Sequence, residues 1–79
     1  MKEEEYKLRD ILALNIRVER KRKKLTQEGL AELADISVKH ITKIENAQVT
    51  PSIYFVHQIA KVLDISIDEL VTEFTRNKA

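Results

Sequence analysis

Apolar residues recur along most of the chain at spacings of three and four, and strand-like alternation of β-branched residues is scarce, so the pattern predicts helices throughout. Leu8, Leu12 and Ile16 form one stripe and Ile11, Leu14 and Val18 an adjacent one, which predicts a first helix over residues 4–23 with an apolar arc wide enough to meet two neighbours. A second helix of about two and a half turns is expected after Thr26, whose hydroxyl suits an N-cap, with Leu30, Ala31, Leu33 and Ala34 as its apolar set. Asp35-Ile36-Ser37 interrupts the period, because Asp tolerates left-handed backbone and Ser37 can cap the next helix. That third helix runs over residues 38–46, with Ile41 and Ile44 inward and Lys39, Thr42 and Lys43 outward. Thr50-Pro51 reads as an N-cap followed by proline at the first helical position, opening a fourth helix with Ile53, Val56, Ile59, Ala60 and Leu63 on its core face. Ser66 with Glu69 three residues later reads as a capping box, so a fifth helix starts near Ile67 with Leu70, Val71 and Phe74 inward. Only residues 76–79 are expected to fray.

Composition narrows the class. Seventy-nine residues leave room for one small domain, here expected over 1–79 with its core within 8–75. The chain is 43% hydrophobic and 34% charged, which supports a packed core under a solvated surface and argues against disorder. No apolar run approaches the roughly 18 residues of a membrane span, and the acidic start Met1-Lys2-Glu3-Glu4-Glu5 lacks the apolar region of a secretory signal. The expectation is a cytoplasmic protein without membrane partners. With no Cys, disulfides, thiolate zinc sites and cysteine nucleophiles are all excluded.

Net charge is only +1, but its distribution is uneven. Residues 17–24 hold Arg17, Arg20, Lys21, Arg22, Lys23 and Lys24 against Glu19 alone, whereas residues 64–73 hold four acids and no base. A basic run at a helix end also complements the helix dipole, worth about 0.3 to 1 kcal/mol per charge, so by itself it names no partner. His40 and His57, seventeen residues apart, make a poor metal pair and read as structural histidines. No nucleophile–base arrangement, phosphate loop or HExxH motif is present, so no catalytic residue, metal, cofactor or small-molecule ligand is expected.

Two short helices joined by a three-residue turn over about residues 26–46, the second exposing Lys and Thr, form a helix-turn-helix arrangement. Around it stand Asn15-Ile16-Arg17, Leu25-Thr26-Gln27-Glu28, Leu30-Ala31, Ile36-Ser37, Ile41-Thr42-Lys43-Ile44-Glu45-Asn46, Pro51-Ser52 and Ile59-Ala60-Lys61-Val62-Leu63. This series, from about Leu12 to Leu70, resembles the phage repressor and Cro family of helix-turn-helix regulators, the XRE type. The resemblance implies an all-α, five-helix repressor-like domain that binds double-stranded DNA in a sequence-specific way and regulates transcription. It makes Gln27 and Asn46 phosphate contacts and places Ser37, Val38, Lys39 and Lys43 where family members reach base edges. A helix entering the major groove by its N-terminus does present such positions, and lysine can donate to guanine O6 and N7. Arg20 and Glu45 match an arginine and glutamate that pair across the first and third helices, leaving the arginine near phosphate. Thr50 and Ser52, at the expected start of the fourth helix, would offer donors to a second phosphate.

The resemblance further implies a homodimer, paired through the fourth helix, its following turn and the fifth, with Tyr54, Phe55, Ile65, Ile67 and Phe74 as candidates. Two-fold pairing doubles the base pairs one recognition helix can read. The same aromatics could instead pack within the chain against Leu14 and Val18. Departures from the family pattern fall at Gly29, where a glutamate would complete a capping box with Thr26 and where glycine costs about 1 kcal/mol relative to alanine. Lys24, Asp35 and Ala47 stand where relatives carry helix-ending glycines; a left-handed Lys or Ala there costs roughly 1 to 2 kcal/mol. A second class of function stays open: an antitoxin or adaptor that binds a protein partner through the extra apolar surface at Leu14, Val18, Tyr54 and Phe55.

Overall fold

The computed structural model describes residues 2–73, and its elements are helices joined by short turns, with no strand among the described residues. In chain order they are α1 (Lys2–Arg22), α2 (Gln27–Ala34), α3 (Val38–Glu45), α4 (Ile53–Leu63) and α5 (Ile67–Val71). Phe74 lies outside the described residues.

Leu12 and Ile16 of α1, Leu30, Ala31 and Ala34 of α2, Ile41 and Ile44 of α3, Val56, Ile59, Ala60 and Leu63 of α4, and Leu70 of α5 close over one another, with Ile36 from the α2–α3 turn. The periodic positions therefore converge on one core. Burying each of these larger aliphatic side chains stabilises by about 1.5 to 3 kcal/mol. Three expected inward positions depart. Leu33 is 62% exposed because it lies about 160° round the helix from the buried Ala31. Leu14 is 40% exposed for the same reason, about 160° from Ile16. Ile53 keeps the stripe's spacing, yet as the first residue of α4 it sits at the end of the stripe and is 71% exposed.

The start of α4 also differs from expectation. Ser52 is its N-cap, with extended backbone and a hydroxyl that accepts from Phe55 N, so the helix begins at Ile53 and Pro51 is a buried residue just outside it. Thr50 and Ser52 are both good capping residues flanking the proline, and the later one takes the role, while the Thr50 hydroxyl bonds to Glu5 and Arg9. Thr26, Ser37 and Ser66 cap α2, α3 and α5, and Ser66 with Glu69 completes the capping box.

The exits of α1 to α4 share one geometry. Lys24, Asp35, Ala47 and Asp64 are all left-handed, with φ between 59° and 60°. In each case the next N–H reaches back to a carbonyl five residues earlier, as in Leu25 N to Arg20 O at 3.0 Å and Gln48 N to Lys43 O at 2.9 Å. The chain's one glycine serves none of these turns. Gly29 lies in the first turn of α2 with its N–H on Thr26 Oγ1 at 2.9 Å, so the cap survives without the reciprocal glutamate.

Candidate nucleic-acid interface

The turn between α2 and α3 is tied by left-handed Asp35, buried Ile36 and the Ser37 cap, whose oxygen accepts from His40 N at 3.1 Å. Ile41 and Ile44 pin α3 to the core at 0% and 1% exposure, which turns Val38, Lys39 and Lys43 outward together with Ser37. The four expected base-reading residues are thus exposed at the start and outer face of one helix. Thr42, expected outward, is half-buried: its Oγ1 lies 3.0 Å from both Gln27 Oε1 and Val38 O.

Glu45, the last residue of α3, is fully buried, and its carboxylate is the hub that fixes the helix. Arg20 donates to it twice, Nε to Oε2 at 2.7 Å and Nη2 to Oε1 at 3.1 Å, while Arg20 Nη1 donates to Leu25 O at 2.8 Å. Gln27 Nε2 adds a third donor, to Oε1 at 3.0 Å. A buried carboxylate is tolerated only when paired and fully bonded, and here three side-chain donors do this. Arg17 Nη1 also donates to the Glu45 carbonyl at 2.7 Å. The expected pairing across α1 and α3 is present; the contributions of Arg17 and Gln27 were not legible, because each depends on how α1 and α2 are angled against the end of α3.

The remaining candidates divide. Asn46 is exposed and ends α3, and Ser52 is exposed at the α4 cap. Gln27 is half-buried and engaged between Glu45 and Thr42. The Arg20 side chain is 11% exposed, and its donors face Glu45 and Leu25. Thr50 is not at the N-terminus of α4: its hydroxyl donates to Glu5 Oε2 at 2.7 Å and accepts from Arg9 Nε at 2.7 Å. Lys21, Arg22, Lys23 and Lys24 are exposed at the end of α1.

On α4, the two adjacent aromatics part company. Phe55 is half-buried with its ring centroid 4.7 Å from that of His40, while Tyr54 is 59% exposed. Nε2 of His40 is buried without a hydrogen-bond partner among the described residues. Half-buried Ile65 and Ile67 line an open depression of about 570 Å³ between α4 and α5, which His57 and Lys61 also border. Asn15, which carried no assigned role, is buried, and its Nδ2 reaches Leu70 O at 2.8 Å, Thr72 O at 2.9 Å and Glu69 O at 3.3 Å, clasping the end of α5. A lone amide between two apolar stripes was the available signal.

A helix-turn-helix family model matches residues 16–70, which contain the buried hub, the outward face of α3 and the core. The chain belongs to the XRE-type helix-turn-helix family of DNA-binding transcription regulators. It is 43% identical over 61 residues to YazB of Bacillus subtilis, an HTH-type transcriptional regulator, covering 77% of this chain and 88% of that one. It is 34% identical over 64 residues to the HTH-type transcriptional regulator SinR of the same species, and the matched span is 80% of this chain but 58% of SinR. Among solved structures, the restriction-modification controller protein C.AhdI from Aeromonas hydrophila superposes with a TM-score of 0.76 at 29% identity, over 78% of this chain and 94% of that one. A hypothetical transcription factor, NHTF from Neisseria, shares the fold with a TM-score of 0.81 at 24% identity, over 84% of this chain and 76% of that one. As a helix-turn-helix regulator the chain has α2 and α3 as its paired helices, with α3 in the position of the reading helix. No helix among the described residues is long and apolar enough to cross a membrane.

Proposed function

We propose that this regulator is a cytoplasmic protein that binds a palindromic operator in double-stranded DNA as a homodimer, with α3 reading bases in the major groove of each half-site. The observation that carries this reading is the asymmetry of α3. One end and one face are locked to the core through Glu45, Ile41 and Ile44, while Val38, Lys39 and Lys43 stand outward on the other, after the exposed Ser37 cap. A reading helix must be held rigidly and leave its donors unspent, and those conditions are met here. Ser37, Val38, Lys39 and Lys43 are assigned to bases and Asn46 and Ser52 to backbone phosphate; Gln27, which gives one amide N–H to Glu45, is assigned to phosphate through its other. Arg20, spent on Glu45 and Leu25, acts by positioning α3.

The dimer is assigned to α4, its following turn and α5. Exposed Tyr54, whose ring neighbours Phe55, and the depression lined by Ile65 and Ile67 supply apolar surface on α4 and α5. One protomer covers only a few base pairs, and a two-fold pair places two reading helices about one DNA turn apart. Selection of bound sites from random duplex DNA tests the reading: it predicts enrichment of a palindrome with half-sites so spaced, and sedimentation equilibrium is expected to show dimer at micromolar protein. No enriched sequence from folded protein, with monomer alone at high micromolar concentration, would contradict it. That result would favour the adaptor or antitoxin reading, for which the 59% exposure of Tyr54 is the supporting observation.

A further inference from the structure

The N-terminal half of α1 precedes the family-matched residues 16–70, yet it reaches the loop that leaves α3. Arg9 Nε donates to Thr50 Oγ1 at 2.7 Å, Thr50 Oγ1 donates to Glu5 Oε2 at 2.7 Å, and Arg9 Nη2 donates to that same oxygen at 3.2 Å. One anionic oxygen therefore takes a charged donor from α1 and a hydroxyl from the loop. Arg9 also lies on the face of α1 that serves α3: it is about 20° round the helix from Arg20, eleven residues on. Arg20 holds the Glu45 carboxylate, Arg17 the Glu45 carbonyl, and Arg9 holds Thr50.

The three arginines are not equivalent. Arg20 is paired with a buried carboxylate, whereas the anion on Arg9 is a side chain 47% exposed to solvent. The Thr50 hydroxyl and the Arg9 guanidinium hold the Glu5 carboxyl below its ordinary value of 4.5, so it is charged at neutral pH. A pair whose carboxylate is half in solvent adds little to stability, so giving it up costs little. The loop itself, Ala47-Gln48-Val49-Thr50 after Asn46, carries no cation, so any cation beside it comes from another element.

Building on the DNA-binding reading above, we propose that Arg9 and Thr50 form a binding pair for a DNA backbone phosphate, and that Glu5 fills it in the free protein as an internal competitor. A phosphate oxygen offers the same charge and lone pairs as Glu5 Oε2, and the planar guanidinium fork suits it. Because phosphates are alike in every sequence, the pair sets affinity without altering base preference. Glu5 lowers that affinity, since DNA must displace it and meet its charge.

Titrating the full chain onto a mixed-sequence duplex over a series of salt concentrations tests this, with circular dichroism as the check on folding. Glu5→Gln is expected to tighten binding several-fold and steepen the log-affinity against log-salt slope by about one unit per bound protomer. Arg9→Ala is expected to weaken binding with a shallower slope, and Glu5→Gln added to Arg9→Ala restores none of it. Glu3→Gln, the same charge change outside the cluster, is expected to leave the slope near that of the parent. Unchanged slopes in both Glu5→Gln and Arg9→Ala, or an equal steepening by Glu3→Gln, overturn the assignment. If Arg9→Ala fails to fold, the Glu5→Gln and Glu3→Gln slopes decide. Parent protein that binds no duplex at low salt overturns the DNA-binding reading as well, whereas parent binding with unmoved variant slopes overturns only the role of Arg9.

Discussion

Where α1 meets the end of α3, two arginines and a glutamine converge on Glu45; where α1 meets α5, one asparagine amide and a set of aliphatic side chains close the contact. The first junction is directional, because a buried carboxylate with fixed donors permits one angle between helices, while apolar packing accepts small slides. The helix assigned to base reading, α3, has the directional junction. The α4–α5 side, to which dimerisation is assigned, combines caps and aliphatic packing with an open depression, a surface able to adapt to a second copy. Precision is thus concentrated beside the residues assigned to bases.

The largest effect should come from breaking the charged junction. Glu45→Ala leaves the buried Arg20 guanidinium without its partner and is expected to cost about 3 to 5 kcal/mol, seen as a large fall in the denaturant midpoint. An unchanged midpoint would place the pair in solvent. The α5 junction is expected to be softer. Asn15→Ala orphans carbonyls at the end of α5 and should cost about 1 to 3 kcal/mol, with hydrogen exchange accelerated in α5 and unaltered in α3. Loss of protection in both helices alike would erase the contrast. The smallest effect tests the turns: Ala47→Gly relieves a left-handed residue and is expected to stabilise by up to about 1 kcal/mol once the added chain entropy of glycine is deducted.

Much of this organisation was legible in sequence because it is local or periodic. The stripes of α1 to α5, the Thr26 and Ser37 caps and the Ser66–Glu69 box need only neighbours within one turn. The Arg20–Glu45 pair was legible through resemblance to the XRE family. What escaped depends on distant geometry. The bonds from Arg17 and Gln27 to Glu45 span 28 and 18 residues, and those from Arg9 and Glu5 to Thr50 span 41 and 45. The start of α4 was misplaced because Thr50 and Ser52 both suit an N-cap and local preference does not choose between them. Leu33 and Ile53 show the other limit: an apolar residue in a helical run is not buried unless a neighbouring element covers its side of the helix.

On the proposed reading, α3 reads bases with its outward residues while the groups flanking it grip backbone. Binding of Lys39→Ala and Lys43→Ala, beside Asn46→Ala, to a panel of base-substituted operators at two salt concentrations tests this assignment. The lysine variants are expected to relax preference at one or two positions of each half-site by about 1 to 3 kcal/mol per lost contact, while the Asn46 variant weakens all duplexes alike with little change in salt slope. Lysine variants with unchanged preference and a slope shallower by about one unit per contact would contradict it, moving Lys39 and Lys43 to the phosphate set and leaving Ser37 and Val38 to read bases.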